Sequence, residues 1–203
     1  MEKGPETRSS LRRRLIAARA DLPAAEHAEK SARLQANLQP LLRHLAPSMI
    51  GFCWAYRGEF DCRPLVAGLV AEGARAALPV IAAIDAPMFF RAWSPSSAMI
   101  EGHYGIPVPV QGATIVPDLI LMPLNAFDRL GYRLGYGGGF FDRTLAALQP
   151  RPTAVGVGFE LARVDSIDPG PFDLPMDYIV TEDNAFVRKG TGLVPFDHPR
   201  NSS

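Results

Sequence analysis

Leu11, Leu15, Ala18 and Leu22 recur at the spacing of one helix face, which predicts an amphipathic helix from Ser9 to about Ala20. Asp21 and Pro23 read as a stop and a restart, Pro23 fitting a first helical turn. Ala28, Leu34, Leu38 and Leu41 then carry a helix from Ala24 to about His44. Beyond it the pattern changes. Met49–Trp54 is short and apolar, as in a strand buried on both faces, and Arg63–Glu72 returns to helix after the turn residues around Gly58. Ala76–Ile81, Met88–Trp93, Leu119–Met122, Ala154–Phe159 and Tyr178–Thr181 are further strand candidates, with a helix at about Phe141–Leu148 behind a glycine-rich loop. This alternation predicts an α/β fold, a single domain over residues 1–203 with an open, mainly parallel sheet flanked by helices. Residues 1–7 and 189–203 are expected to be loose termini. Ligands of such sheets bind beyond the strand C-termini, where the glycine loop falls.

Composition narrows the function. The 203 residues suffice for one well-developed core, burying roughly 70% of the unfolded surface. Lys+Arg and Asp+Glu balance at 21 each, which disfavours a nucleic-acid binder. Lysine stands only at 3, 30 and 189, so eighteen of the basic residues are arginines. That bias suits bidentate contacts to phosphates or carboxylates, although codon usage produces it too. Cys53 and Cys62 supply neither a disulfide framework nor a four-ligand zinc site, and Cys53, in an apolar run, reads as a buried structural thiol. Met1–Ser10 lacks the apolar segment of a secretory signal, and Ile115–Phe127 is broken by Pro117, Asp118 and Pro123. A soluble, cytoplasmic, monomeric protein with no membrane or nucleic-acid partner is expected.

Chemistry concentrates in Arg133-Leu134-Gly135-Tyr136-Gly137-Gly138-Gly139-Phe140-Phe141-Asp142-Arg143. Four glycines in five positions cost backbone entropy. They permit positive φ and let successive N–H groups turn inward around an anion, with a helix N-terminus behind them. Arg133 adds a full charge. A tight turn without ligand is the plain alternative. The loop is neither a Walker A sequence nor a dinucleotide fingerprint, since Phe140 stands where a glycine would be needed. Asp142 either complements the helix dipole or holds Mg²⁺ against phosphates, with Asp177 as a candidate partner. Arg8 and Arg12 share a helix face, with Arg19 near it, and either lie in solvent or close over a polyphosphate. Trp54, Tyr56 and Glu59 suit a flat heterocycle with ring N–H donors, such as a pterin; core packing and surface charge are their plain alternatives. His27, His44, His103 and His198 show no ligand spacing and receive no role.

Together these segments resemble the 5-formyltetrahydrofolate cyclo-ligase family, in order from Arg8 to about Glu182. The most specific part is Pro117-Asp118-Leu119-Ile120-Leu121-Met122-Pro123, continuing through Ala126-Phe127-Asp128 to Gly131-Tyr132-Arg133 and the glycine loop. Ser10-Leu11-Arg12, Gly58-Glu59-Phe60-Asp61, Gly105-Ile106-Pro107, Asp173-Leu174-Pro175-Met176-Asp177 and Val180-Thr181-Glu182 support it. The resemblance implies an α/β fold of the sugar-phosphate isomerase and CoA-transferase type. It implies ATP- and Mg²⁺-dependent conversion of 5-formyltetrahydrofolate to 5,10-methenyltetrahydrofolate, releasing ADP and phosphate. By position, Arg8, Ser9, Ser10, Leu11 and Arg12, with Arg133, Leu134, Gly135, Tyr136, Gly137, Gly138, Gly139, Phe140 and Phe141, would bind ATP. Trp54, Glu59 and Tyr136–Phe140 would contact the folate, and Asp142 and Asp177 would hold Mg²⁺.

An N-formyl oxygen is a poor leaving group; phosphorylating it activates the carbon for attack by the neighbouring N10 amine. Such a reaction needs positioning and charge neutralisation rather than a protein nucleophile. The chain departs from the family pattern at Arg8 (Lys expected), Phe141 (Tyr), Val108 (acidic), Phe172 (His) and Arg163 (Gln). These changes keep alternatives open: a divergent member phosphorylating another N-formyl or heterocyclic substrate, or a non-catalytic folate- or nucleotide-binding protein. An isomerase or acyl-CoA enzyme of the same fold has no need of the glycine loop.

Overall fold

Helices α1 (Arg8–Ala20) and α2 (Ala24–Leu45) lead into strand β1 (Met49–Gly51), and α3 (Arg63–Ala71) connects it to β2 (Arg75–Val80) and β3 (Phe89–Trp93). The chain then forms a hairpin of β4 (Met99–Glu101) and β5 (Pro107–Pro109), followed by β6 (Thr114–Ile115) and β7 (Leu119–Pro123). A second hairpin, β8 (Ala126–Phe127) and β9 (Arg133–Leu134), precedes α4 (Phe140–Ala147). Strands β10 (Thr153–Val157), β11 (Tyr178–Val180), β12 (Ala185–Lys189) and β13 (Gly192–Pro195) complete the order. The computed structural model describes residues 6–197.

Local chemistry sets the helix ends. Thr7 caps α1, its hydroxyl accepting from Ser10 N at 3.2 Å. Ala46, at φ +45°, turns the chain out of α2 just before Pro47. Strand order in the main sheet is β13-β12-β11-β10-β7-β1-β2-β3-β6. The five central strands, β11 through β2, are parallel. They are mainly apolar, with Arg75 and Thr153 only at strand starts, because both faces are covered. On one face Leu34, Leu38 and Leu41 of α2 pack on Ile50, Leu121 and Val155. On the other, Leu145 of α4 meets Ile120, Met122, Ala154 and Ile179. A smaller core joins Leu11 and Leu15 of α1 to Ala126, Leu134 and Ile167.

The margins differ from expectation. Antiparallel strands β3 and β6 extend one edge, and β12 and β13 the other. Of the stretch 189–203, read as loose, the described part 189–197 is corrected: Lys189 closes β12, β13 pairs back along it, and Phe196 N donates to Ala185 O at 2.8 Å. At the other end Glu6 accepts from Arg14 at 2.9 and 3.1 Å, so 6–7 are anchored too. Residues 1–5 and 198–203, His198 among them, lie outside the described residues. Met49–Trp54 is strand only to Gly51, which leaves Cys53 and Trp54 in the loop beyond it.

Ile179, fully buried in β11, offers a direct check on the second core. Ile179→Val should cost about 0.5–1.5 kcal/mol, read as a lower denaturant midpoint at unchanged slope. A shift near zero would mean that β11 is not packed as described.

Candidate functional site

A cleft of about 560 Å³ opens beyond the C-terminal ends of β1, β2 and β7. Its lining includes Trp54, Pro79 and Pro123 at the strand ends, the glycine loop, and Tyr104, Ile106 and Val108 of the β4–β5 hairpin region. Tyr104 is held at φ +61° and stands edge-on to Phe140, ring centroids 6.4 Å apart. Flat apolar surfaces thus bound the opening.

One wall of the cleft is the glycine loop with the arginines beside it. Gly137 has φ +100° and Gly139, at φ +65°, begins α4 without a side-chain cap, leaving the first N–H groups of the helix available. Arg12 donates Nε to Gly135 O at 2.6 Å, and a Cβ built on Gly137 would lie 3.4 Å from its guanidinium carbon. The η nitrogens of Arg12 meet no protein acceptor among the described residues. Burial, and then the charge of Arg8, lowers its pKa, the mark of a cation without a counter-charge. Arg133 is buried beside it with Nη2 3.3 Å from Asp142 Oδ2, and its Nε lacks a partner among the described residues. Asp142 Oδ1 accepts from Leu174 N at 3.1 Å.

Arg8 is already occupied. It donates to both oxygens of Asp173 at 2.5 and 3.0 Å and to Asp168 O at 3.1 Å. Hydrogen bonding to Asp173 raises the Arg8 pKa. Burial pushes the Asp173 carboxyl up, but the bonds from Arg8 and Gly170 N, with the charges of Arg8 and Arg133, together outweigh it and leave it below its ordinary value.

The lining also carries a buried carboxylate. Glu59, 7% exposed, accepts from Tyr136 Oη at 2.6 Å and from Tyr56 N at 3.0 Å. Burial raises its pKa despite the opposing hydrogen bonds and the nearby charge of Arg19. Burial, followed by Glu59, likewise pushes the Tyr136 hydroxyl up. Trp54 is backed by Arg63, whose guanidinium lies 4.2 Å from its ring centroid and is paired with Asp61 at 2.7 Å.

Most of the expected positions meet here. Arg8, Arg12, Trp54, Glu59, Asp142 and the run Arg133–Phe141 all line the cleft. Ser9, Ser10 and Leu11 do not: Leu11 turns into the third core, Ser10 hydrogen-bonds Thr7, and Ser9 is exposed. Arg19 is no solvated stripe residue but 4% exposed. The pairing of Asp142 with Asp177 is corrected. Asp177 stands at the N-terminal end of β11, away from the cleft lining, where it accepts from Arg151 at 2.9 Å and Ala154 N at 2.7 Å. The carboxylate the fold brings near Asp142 is Asp173, a residue whose type alone gave no signal. Among the described residues no group of three or more His, Cys, Asp or Glu side chains could hold a metal alone.

The departures from the family pattern fall in different places. The Phe141 ring packs against the Arg133 guanidinium, 5.3 Å away, and Val108 faces the cleft. Arg163 lies between the Phe127 and Phe186 rings, paired with Glu160. Phe172 is 86% exposed. Cys53 lines the cleft, and burial raises its thiol pKa, which agrees with an unreactive role. His27 and His44 pack against Phe159 and Phe196, while His103 reaches the cleft rim. Among the described residues no helix is long and apolar enough to cross a membrane.

Residues 5–182 match the model of the 5-formyltetrahydrofolate cyclo-ligase family. A relative of that name from Escherichia coli strain K12 is 34% identical over 134 residues, covering 63% of this chain and 74% of its own. One from Haemophilus influenzae is 26% identical over 84% of this chain and 95% of its own. The solved structure of Aquifex aeolicus 5,10-methenyltetrahydrofolate synthetase superposes with a TM-score of 0.78 at 27% identity, covering 97% and 99% of the two chains.

Proposed function

The chain belongs to the 5-formyltetrahydrofolate cyclo-ligase family, and from that premise we propose that its cleft binds ATP at the glycine loop and the folate beside Glu59. The enzyme is a ligase of folate one-carbon metabolism, closing 5-formyltetrahydrofolate to 5,10-methenyltetrahydrofolate. The observation that carries the nucleotide assignment is the Arg12 guanidinium lying on Gly137 without a counter-charge, inside the cleft that holds Glu59. An uncompensated, partly desolvated cation on a glycine loop at a helix N-terminus suits a phosphate group.

Each part of the cleft then has a task. Arg12, Arg133 and the loop N–H groups neutralise charge as the phosphoryl group moves to the formyl oxygen. Glu59 accepts from ring N–H groups, while Trp54 and Phe140 offer flat faces to the heterocycle. Holding the substrate this way brings the N10 amine to the activated carbon; as N10 bonds to it, the C–O bond breaks, and the phosphate departs toward the arginines with the proton that N10 gives up. No side chain serves as nucleophile.

Mg²⁺ sites on phosphates use one or two carboxylates and keep several waters; Asp142, in the first turn of α4 on the cleft wall, would hold the ion here, exchanging its contacts with Arg133 or Leu174 N for it. Bound there, the ion would neutralise the phosphates. Asp142→Asn should lower Mg²⁺-dependent turnover at least about tenfold, with folate binding little changed. Equal activity at limiting Mg²⁺ would return Asp142 to the helix dipole.

The decisive assay mixes purified protein, 5-formyltetrahydrofolate, ATP and Mg²⁺ and follows methenyl absorbance. No signal, beside a competent reference enzyme, would overturn the reading.

A further inference from the structure

Behind Glu59 and Tyr136 lies a buried guanidinium that none of these steps uses. Arg19, near the end of α1, donates Nε to Arg57 O at 3.1 Å and Nη1 to Leu124 O and Asn125 Oδ1, both at 3.0 Å. Its Nη2 donates to the Tyr136 hydroxyl at 3.0 Å and stands 3.7 Å from Glu59 Oε1. These partners belong to three segments: the loop after β1, the loop after β7, and the glycine loop. Tyr136 accepts from Arg19 and donates to Glu59, so its hydroxyl is oriented from both sides.

We propose that Arg19 is a positioning residue for folate recognition, fixing the Glu59 carboxylate, directly and through Tyr136, as the acceptor for the substrate's ring N–H groups. This rests on the folate reading of the cleft. Removing one partner of a buried charge pair leaves the other uncompensated, so Arg19 matters to Glu59 beyond its part in packing. Burial drives the Glu59 carboxyl toward its neutral form; the Tyr136 hydrogen bond and then the Arg19 charge pull it back. The other groups facing Glu59 do not replace Arg19. Cys53 and Cys62 have thiols raised by burial, and His27 of α2 directs Nε2 to the Gly58 carbonyl, at 3.0 Å, Nδ1 to the Ser31 hydroxyl and its ring to Phe159. Arg57 turns its guanidinium to the Tyr56 ring, 5.0 Å away. Among the described residues Arg19 is the cation within ion-pair distance of Glu59.

A protonated Glu59 loses acceptor capacity. Folate affinity should therefore rise with pH as Glu59 ionises, and the midpoint of that rise should move upward when Arg19 is neutralised. The experiment is calorimetric titration of 5-formyltetrahydrofolate, without ATP, across a pH series. Arg19→Gln should weaken binding at neutral pH by about tenfold or more and recover as the pH rises. Arg19→Lys keeps a cation and should restore most of the affinity. Glu59→Gln should flatten the pH profile, and adding Arg19→Gln to it should bring no pH dependence back. A loss in Arg19→Gln that is constant across pH, or one that persists with pH dependence in the Glu59→Gln background, overturns the role. If Arg19→Gln does not fold, Tyr136→Phe decides: the midpoint should rise by less, and an unmoved midpoint overturns the proposal. A wild-type protein that binds no 5-formyltetrahydrofolate would instead sink the folate reading itself.

Discussion

Gly137→Val should remove measurable ATP binding, a loss of about a hundredfold or more, in a protein that still folds. Two effects combine. Gly137 sits at φ +100°, a conformation that strains a β-branched side chain by about 1–3 kcal/mol. The second effect is space. A Cβ alone would touch the Arg12 guanidinium at 3.4 Å, an ordinary contact, but the methyls beyond it would occupy the volume a phosphate must enter. Gly137→Ala therefore separates the two causes, retaining the strain without the methyls, and should lose less affinity than Val. Gly137 is exposed, so the stability cost stays local. Strain of that size lowers the melting temperature by roughly 2–4 °C per kcal/mol in a chain of this length. Unchanged ATP affinity in folded Gly137→Val would take the nucleotide away from this loop.

The parallel centre of the fold was legible because its strands are apolar on both faces. Ile120 and Leu121 face opposite cores, so the run Leu119–Met122 reads as continuous. The edges were not legible. Edge strand β6, like β8 and β9 of the separate hairpin, has two residues, too short for any period, and β12 carries Arg188 and Lys189 on a partly solvated margin. The glycine loop announced itself through residue types that suit neither helix nor strand. The acidic partner did not: Asp173 and Asp177 lie four residues apart, and only the fold sends the first to the cleft and the second to the opposite end of the sheet. Arg19 was hidden for a similar reason. Its spacing from Arg8 and Arg12 described one helix face but could not show that the last turn of α1 dives under the loop after β1.

The N-terminal arginines are expected to separate sharply, with Arg12→Gln raising the apparent KM for ATP about ten- to a hundredfold and Arg8→Gln changing it much less. Arg12 gives a phosphate a charge that no carboxylate neutralises, since its bond is to the Gly135 carbonyl. Arg8 must first leave Asp173, so any phosphate contact it makes is offset by a bidentate pair broken. Arg8→Lys should fall between wild type and Arg8→Gln, because it keeps the charge and loses the fork. Stability orders them the other way. Arg8→Gln removes a partly exposed ion pair, worth about 0.2–1 kcal/mol, whereas Arg12→Gln gives up a cation whose pKa burial already lowers. The pH dependence has a definite sign. The Asp173 carboxyl lies below its ordinary value in the folded protein, so its contribution is present above the unfolded pKa and lost as pH falls through the folded one. The stability gap between wild type and Arg8→Gln should therefore close in acid and stay constant from about pH 5 to neutrality. ATP titrations of the three variants at saturating folate, with melting curves over pH, test both orders. Equal KM effects at Arg8 and Arg12 would mean that Asp173 does not hold Arg8 back from the nucleotide.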